Sequence, residues 1–345
     1  MLSQVAVVIF MFVVGYEIEF GTLRAHGRVV PLVTLGALFV PMGLGIACAL
    51  LFRPEFASIG IGHEGRSFVL FMGAATSITA LPVLASIVRE RNLAGTTAGV
   101  IATAAAGIMD VLAWLVLAVA LIGTGHVGRF SLPVTVLLLC CFVAVMLAVV
   151  RPAVSWWTNR RQSVLSSPVP VAFALAMASA WVTASLGLHP IFGAFLAGLT
   201  MRGRNRVPEA DVLGSMDQAG SMLLPLFFVV TGLSLNVGAV RGNAFLLLLV
   251  VVVIACAGKL GPGYAISRAS RLSPRDAATI AALVNTRGLT ELIALRVGLD
   301  DRIINQWLFT VLVLMALITT LATGPLLSVI KPVRAPQTAE DQYVM

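Results

Sequence analysis

Charge is scarce in this sequence. Aspartate, glutamate, lysine and arginine make up 11% of the chain, where soluble domains carry about 25%. The 345 residues are 59% hydrophobic, with a mean hydropathy of +1.00. That excludes a soluble globular protein and implies repeated apolar helices of ~20 residues that cross a membrane. Cysteine is also rare. Cys48, Cys140, Cys141 and Cys256 all fall inside apolar runs without metal-ligand spacing, which argues against both a disulfide framework and a zinc site. No G-x-x-x-x-G-K-[ST] phosphate loop and no H-E-x-x-H motif occurs. A nucleotide-driven pump and a zinc-dependent intramembrane protease therefore have no motif to stand on, and no cofactor is expected. The net charge of +8 is spread singly over short loops, so nucleic acid is excluded as a partner. The N-terminus has neither a basic n-region nor a cleavage motif, so it does not read as a secretory signal.

What remains is an all-α polytopic membrane protein. Eleven segments are predicted, at about 3–18, 29–52, 67–88, 96–123, 131–151, 168–187, 189–202, 220–236, 243–267, 276–299 and 303–330. Residues 1–331 form one transmembrane domain, and 332–345 read as a disordered cytoplasmic tail. The longest connection, 203–219, reads as a surface amphipathic helix. Of the 23 lysines and arginines, 15 lie on the odd-numbered loops and the tail, 5 on the opposite side and 3 within helices. The positive-inside rule then places the C-terminus in the cytoplasm and the N-terminus outside, in a multi-pass cell-membrane protein.

Two stretches share a pattern. Gly15, Gly21 and Arg24 follow Phe12-Val13-Val14, Gly232, Gly238 and Arg241 follow Phe228-Val229-Val230-Thr231, and Gly, Gly and Arg keep the same spacing in both. They end helices seven segments apart, which run in opposite directions. An inverted repeat of this kind is the architecture of secondary transporters. It predicts that the third and tenth segments correspond and that both are broken. The third holds Thr76-Ser77-Ile78-Thr79-Ala80-Leu81-Pro82, where Pro82 interrupts the helical ladder. The tenth holds Asn285-Thr286-Arg287-Gly288-Leu289-Thr290-Glu291, whose polar groups suit unwound backbone lining a cavity. A plain proline kink and an i,i+4 Arg287–Glu291 pair buried for packing are the plainer readings.

Asp110 is the one charge between Ala94 and Val127. An acid at that depth is a functional-site hypothesis by default. Burial penalises its ionised form, and either a proton or a cation neutralises it, so the two compete. Alkali cations take hard oxygen ligands, which Asp110, the hydroxyls of Thr76, Ser77 and Thr79 and open carbonyls would supply. Lys259 lies in Gly258-Lys259, and it either snorkels to the interface or faces the bundle and balances a carboxylate. Arg287, Glu291 and Asn285 are further charge partners. His189 reads mainly as a packing residue beside Pro190. Glu17 and Glu19 read as a solvated helix end or a cation funnel.

These residues resemble the monovalent cation:proton antiporter superfamily, in the branch of Kef-type, Nap-type and plant cation/H+ exchangers. The motifs that carry the resemblance are Thr76–Leu84, Asp110–Trp114, Gly187–Phe195, Gly258-Lys259 and Asn285–Leu292. It implies a sodium/proton antiporter-like fold with two crossed discontinuous helices, Asp110 as the ion- and proton-binding acid, and Lys259 as its embedded basic partner. The expected activity is exchange of Na+ or K+ for H+, with the lipid bilayer as surroundings and a homodimer left open. The chain departs from the family at Met109, where asparagine or aspartate is usual, so exchange rests on a single midplane aspartate. It also begins where the third family helix begins, as in a fragment or a late start. The alternatives are a same-fold exporter of an organic solute or ionophore, and an inactive truncated antiporter.

Overall fold

The computed structural model describes residues 2–17, 28–52, 56, 65–122, 132–160, 167–186, 189–201, 210–239 and 243–332. Helices are α1 (Leu2–Glu17), α2 (Val29–Leu51), α3 (Arg66–Ser77), α4 (Leu81–Glu90), α5 (Thr97–Ile122) and α6 (Leu132–Val145). The last continues through a π turn at Met146–Val150 into α7 (Arg151–Arg160). Then follow α8 (Val169–Ser185), α9 (Pro190–Met201), α10 (Ala210–Leu233), α11 (Asn243–Ala269), α12 (Pro274–Val284), α13 (Leu289–Asp300) and α14 (Gln306–Ile330). No strand occurs among the described residues. Among the described residues eight spans are long and apolar enough to cross a membrane, with three shorter apolar helices at Gln4–Glu17, Val169–Ser185 and Pro190–Met201. Each broken segment, α3–α4 and α12–α13, counts as one span.

The helices sort into two groups. α1, α8, α9 and α10 pack on one another, with α6 and α7 alongside, and form a scaffold. α2, α3, α4, α5, α11, α12, α13 and α14 pack together as a core. Within the core the pairings repeat: α2 lies on α3 as α11 lies on α12, and α3 lies on α5 as α12 lies on α14. This is the inverted repeat, now visible in packing. The scaffold is drawn tight by glycine. A methyl group at Gly15 would land on the Phe195 carbonyl, and one at Gly198 on the Phe12 carbonyl, so α1 and α9 touch backbone to backbone.

Two boundaries differ from the expectation. The segment predicted to begin at 220 begins at Ala210, so Asp211 and Asp217 ride on α10 rather than on a separate surface helix. Val212 and Met216 explain this: both are buried against Ile9, Phe12 and Val13 of α1, and Asp211 sits favourably in the positive first turn. The fifth segment runs on to Arg160. Glu19, the Gly21–Arg24 and Arg241 parts of the repeat, residues 203–209 and the tail after 332 lie outside the described residues.

Candidate ion-binding site

Both predicted breaks are real gaps in the helical ladder. Residues 78–80 separate α3 from α4, and 285–288 separate α12 from α13. Pro82 does not kink a helix. It sits in the first turn of α4, where its missing donor costs nothing. The breaks cross in contact: Ala80 N–H donates to the Thr286 carbonyl at 3.2 Å. Gly288 is what permits this approach, because a methyl group there would collide with Val83 Cγ2 and press on Ala80 Cβ. Gly288→Ala is expected to cost about 1–3 kcal/mol in thermal unfolding. Val83→Ala in the same chain should recover part of it; no recovery would mean that the contact is not the cause.

Each break caps the other. A helix ends in carbonyls without intrahelical partners and carries partial negative charge there. Arg287, from the second break, donates through Nη1 to the Ala75 carbonyl (2.7 Å) and through Nη2 to the Thr76 carbonyl (2.5 Å) in the last turn of α3. Thr79, from the first break, donates through Oγ1 to the Val284 carbonyl at the end of α12 (3.1 Å). Arg287 also holds Glu291 Oε1 at 2.8 Å, with both side chains 0% exposed. The i,i+4 pair therefore exists, but it also serves as the cap of a different helix. Thr320 of α14 completes the second break by accepting from Arg287 N–H (2.9 Å) and donating to the Arg287 carbonyl (2.8 Å).

Asp110 lies fully buried on α5. Its Oδ2 accepts from Leu81 N–H, the first residue of α4, at 3.2 Å, so the carboxylate meets the positive end of that half-helix. Its Oδ1 has no hydrogen-bond partner among the described residues. Such an orphaned buried acceptor calls for an explanation, and a free carboxylate oxygen is what a proton or a small hard cation would occupy. Lys259 is also fully buried. It lies ten residues, about 15 Å of helix, before the end of α11, which explains why it does not snorkel. Its Nζ donates to Thr79 Oγ1, and its charge lies within electrostatic reach of Asp110 and Glu291. Met109 is buried beside this pair, with Sδ 3.8 Å from Thr79 Oγ1.

The other expected site residues are placed as follows. Thr76 Oγ1 donates toward carbonyls of its own helix, Met72 and Gly73, and of Pro41 on α2. Ser77 Oγ donates to the Ala74 carbonyl at 3.0 Å. The hydroxyl brought to Lys259 is that of Thr79. Asn285 turns to α14 and α11, donating to the Thr319 carbonyl (3.4 Å) and lying 3.9 Å from Cys256 Sγ. His189 precedes α9, and its Nδ1 accepts from Ile191 N–H at 3.5 Å, a capping contact. Thr320 and the capped carbonyls escaped the sequence reading. Adjacent hydroxyls at Thr319 and Thr320 inside an apolar helix were the available signal. Among the described residues no group of three or more His, Cys, Asp or Glu side chains could hold a resident metal.

Two discontinuous helices cross between inverted repeats, with an acid and a base buried at the crossing, an architecture that secondary transporters use. The chain belongs to the sodium/hydrogen exchanger family, whose transmembrane profile matches residues 1–330. It is 33% identical over 348 residues to cation/H(+) antiporter 18 of Arabidopsis thaliana, covering 99% of this chain and 42% of that protein. It is 32% identical over 343 residues to the Na(+)/H(+) antiporter NhaS4 of Synechocystis sp., covering 97% of this chain and 82% of that one. The chain thus spans about two fifths of the plant relative and most of the cyanobacterial one. The solved sodium proton antiporter MjNhaP1 of Methanocaldococcus jannaschii shares the fold, with a TM-score of 0.60 at 14% identity over 95% of this chain and 82% of that chain.

Proposed function

We propose that this chain exchanges a monovalent cation, Na+ or K+, for a proton, with Asp110 holding one or the other in turn. The observation that carries the reading is the fully buried carboxylate with one oxygen anchored by Leu81 N–H and the other unpartnered. Proton and cation compete for that oxygen, and the competition couples their movements. Lys259 and the positive end of α4 lessen the cost of the empty, charged carboxylate. Thr79, held by Lys259, is the hydroxyl placed to complete a cation shell; Thr76, Ser77 and open carbonyls are the remaining oxygen donors. Arg287 and Glu291 keep the crossing in register. With Met109 in place of a second polar group, one cation exchanges for one proton and the cycle is electrically neutral. Residues 1–331 span the cell membrane, with the C-terminus cytoplasmic. The plant and cyanobacterial relatives, a cation/H(+) antiporter and a Na(+)/H(+) antiporter, support this reading.

Proteoliposomes with an internal pH dye test it. A pulse of Na+, K+ or Li+ outside should alkalinise the lumen, because a proton leaves for each cation that enters. A lumen that answers none of the three would contradict the reading, as an organic-solute exporter or an inactive chain would behave.

A further inference from the structure

Core and scaffold meet at a second polar place, at the end of the bundle where α13 finishes and α9 begins. Here a cavity of about 230 Å³ is lined by Gln4 of α1, His189, Thr231 of α10, and Arg296 and Asp300 of α13. The core side is braced: Arg296 grips Asp300 with two contacts, Nε to Oδ2 at 3.1 Å and Nη2 to Oδ1 at 3.0 Å. Its Nη1 then reaches across to Ser234 Oγ just after α10, at 2.6 Å. Gln306 Nε2 donates to the Ser234 carbonyl (3.0 Å), and Asn236 N–H donates to Thr310 Oγ1 (3.1 Å). These bonds latch the scaffold helix to the core and close the seam. His189 stands inside it, belonging to the scaffold but facing Asp300 of the core.

We propose that His189 is a proton sensor in this seam, whose protonation from the adjoining aqueous face favours opening between core and scaffold. Alternating access requires two bundles to part at one face and close at the other, so a group more fully wetted in the open form biases that equilibrium.

The imidazole is half-buried, and loss of water pushes its pKa down to about 4 from the model-compound 6.5, against the pull of Asp300, which favours the charged form. Exposed to water it returns to its ordinary value, so the open form binds the proton more tightly. The charged groups facing it are Arg296 and Asp300; Gln4 and Thr231 are neutral. The sign follows. Well above pH 6.5 His189 is neutral in both forms and has no influence. As pH falls through 6.5 the proton settles on the open form first, and the gain stops growing near pH 4. Between about pH 7.5 and about 5.5 the open-to-closed ratio should rise ~10-fold.

The physiological meaning of the sensor rests on the exchange reading above, but its test does not need transport. In a chain with Cys48, Cys140, Cys141 and Cys256 replaced by serine, Thr231→Cys places a reporter in the cavity wall. A membrane-impermeant methanethiosulfonate reagent reads its accessibility in liposomes. His189→Asn is the comparison, because asparagine keeps an acceptor for Ile191 N–H and does not titrate. The ratio of labelling rates, His189 over H189N, should rise ~10-fold on acidification of the cavity's side alone. A ratio that does not move, or that moves only when the opposite side is acidified, overturns the proposal. Histidine NMR provides a second reading: the resonance missing in H189N should titrate well below pH 6.5 while the seam is closed. Titration at the ordinary value would also overturn it.

Discussion

Asp110→Asn abolishes cation-evoked proton movement in liposomes while the protein still folds. Asparagine is nearly the shape of aspartate, and its amide oxygen can accept from Leu81 N–H as Asp110 Oδ2 does at 3.2 Å. The start of α4 therefore keeps its partner, and Lys259, which loses one carboxylate within its reach, keeps Glu291. Function has no such substitute. An amide neither carries the proton nor neutralises a cation, and the residue beside it in the chain, Met109, offers no second carboxylate. The expected loss is at least 100-fold in initial rate for Na+ and K+ alike, of the order seen when an essential proton carrier is removed. A thermal midpoint no lower than that of the parent shows that the loss is chemical. Undiminished exchange by D110N would move the site elsewhere.

The second large effect is structural. Arg287 is fully buried and satisfies three acceptors at once: the carbonyls of Ala75 and Thr76 and the carboxylate of Glu291. Arg287→Met leaves all three in a dry interior and strands the Glu291 charge. Breaking a buried pair from one side costs about 3–5 kcal/mol, and here two helix-terminal carbonyls lose their cap as well. Much of that loss is the unpaired carboxylate, so Arg287→Met with Glu291→Gln should recover part of it. Arg287→Lys should recover less, because one ammonium lacks the fork that reaches two carbonyls and a carboxylate together. Thermal unfolding in detergent of the parent, the singles and the double gives the coupling. A double variant no more stable than R287M would mean that the pair contributes nothing beyond the carbonyl caps.

The parts of this architecture that were legible in the sequence are those where a side chain conflicts with lipid. Asp110, Lys259, Arg287 and Glu291 stand out in a chain so poor in charge, and Pro82 and Gly288 mark backbone that leaves the helix. The reciprocal capping was not legible, because the acceptors are the carbonyls of Ala75, Thr76 and Val284, and a carbonyl has no sequence signature. Nor was the direction of hydroxyls: Thr76 and Ser77 look like Thr79 in sequence, yet the first two donate into their own helix and the third meets Lys259. The early start of α10 was hidden because Val212 and Met216 sit among polar residues, and only their burial against α1 makes them part of the segment.

The central claim is that a cation and a proton compete for one oxygen of Asp110. Proton release on cation binding measures this directly, in purified protein in weakly buffered detergent solution. Adding saturating Na+ or K+ at a pH where the carboxyl is protonated should release about one proton per chain. The release should be absent from D110N. Cation binding without proton release, or equal release from D110N, would contradict the account.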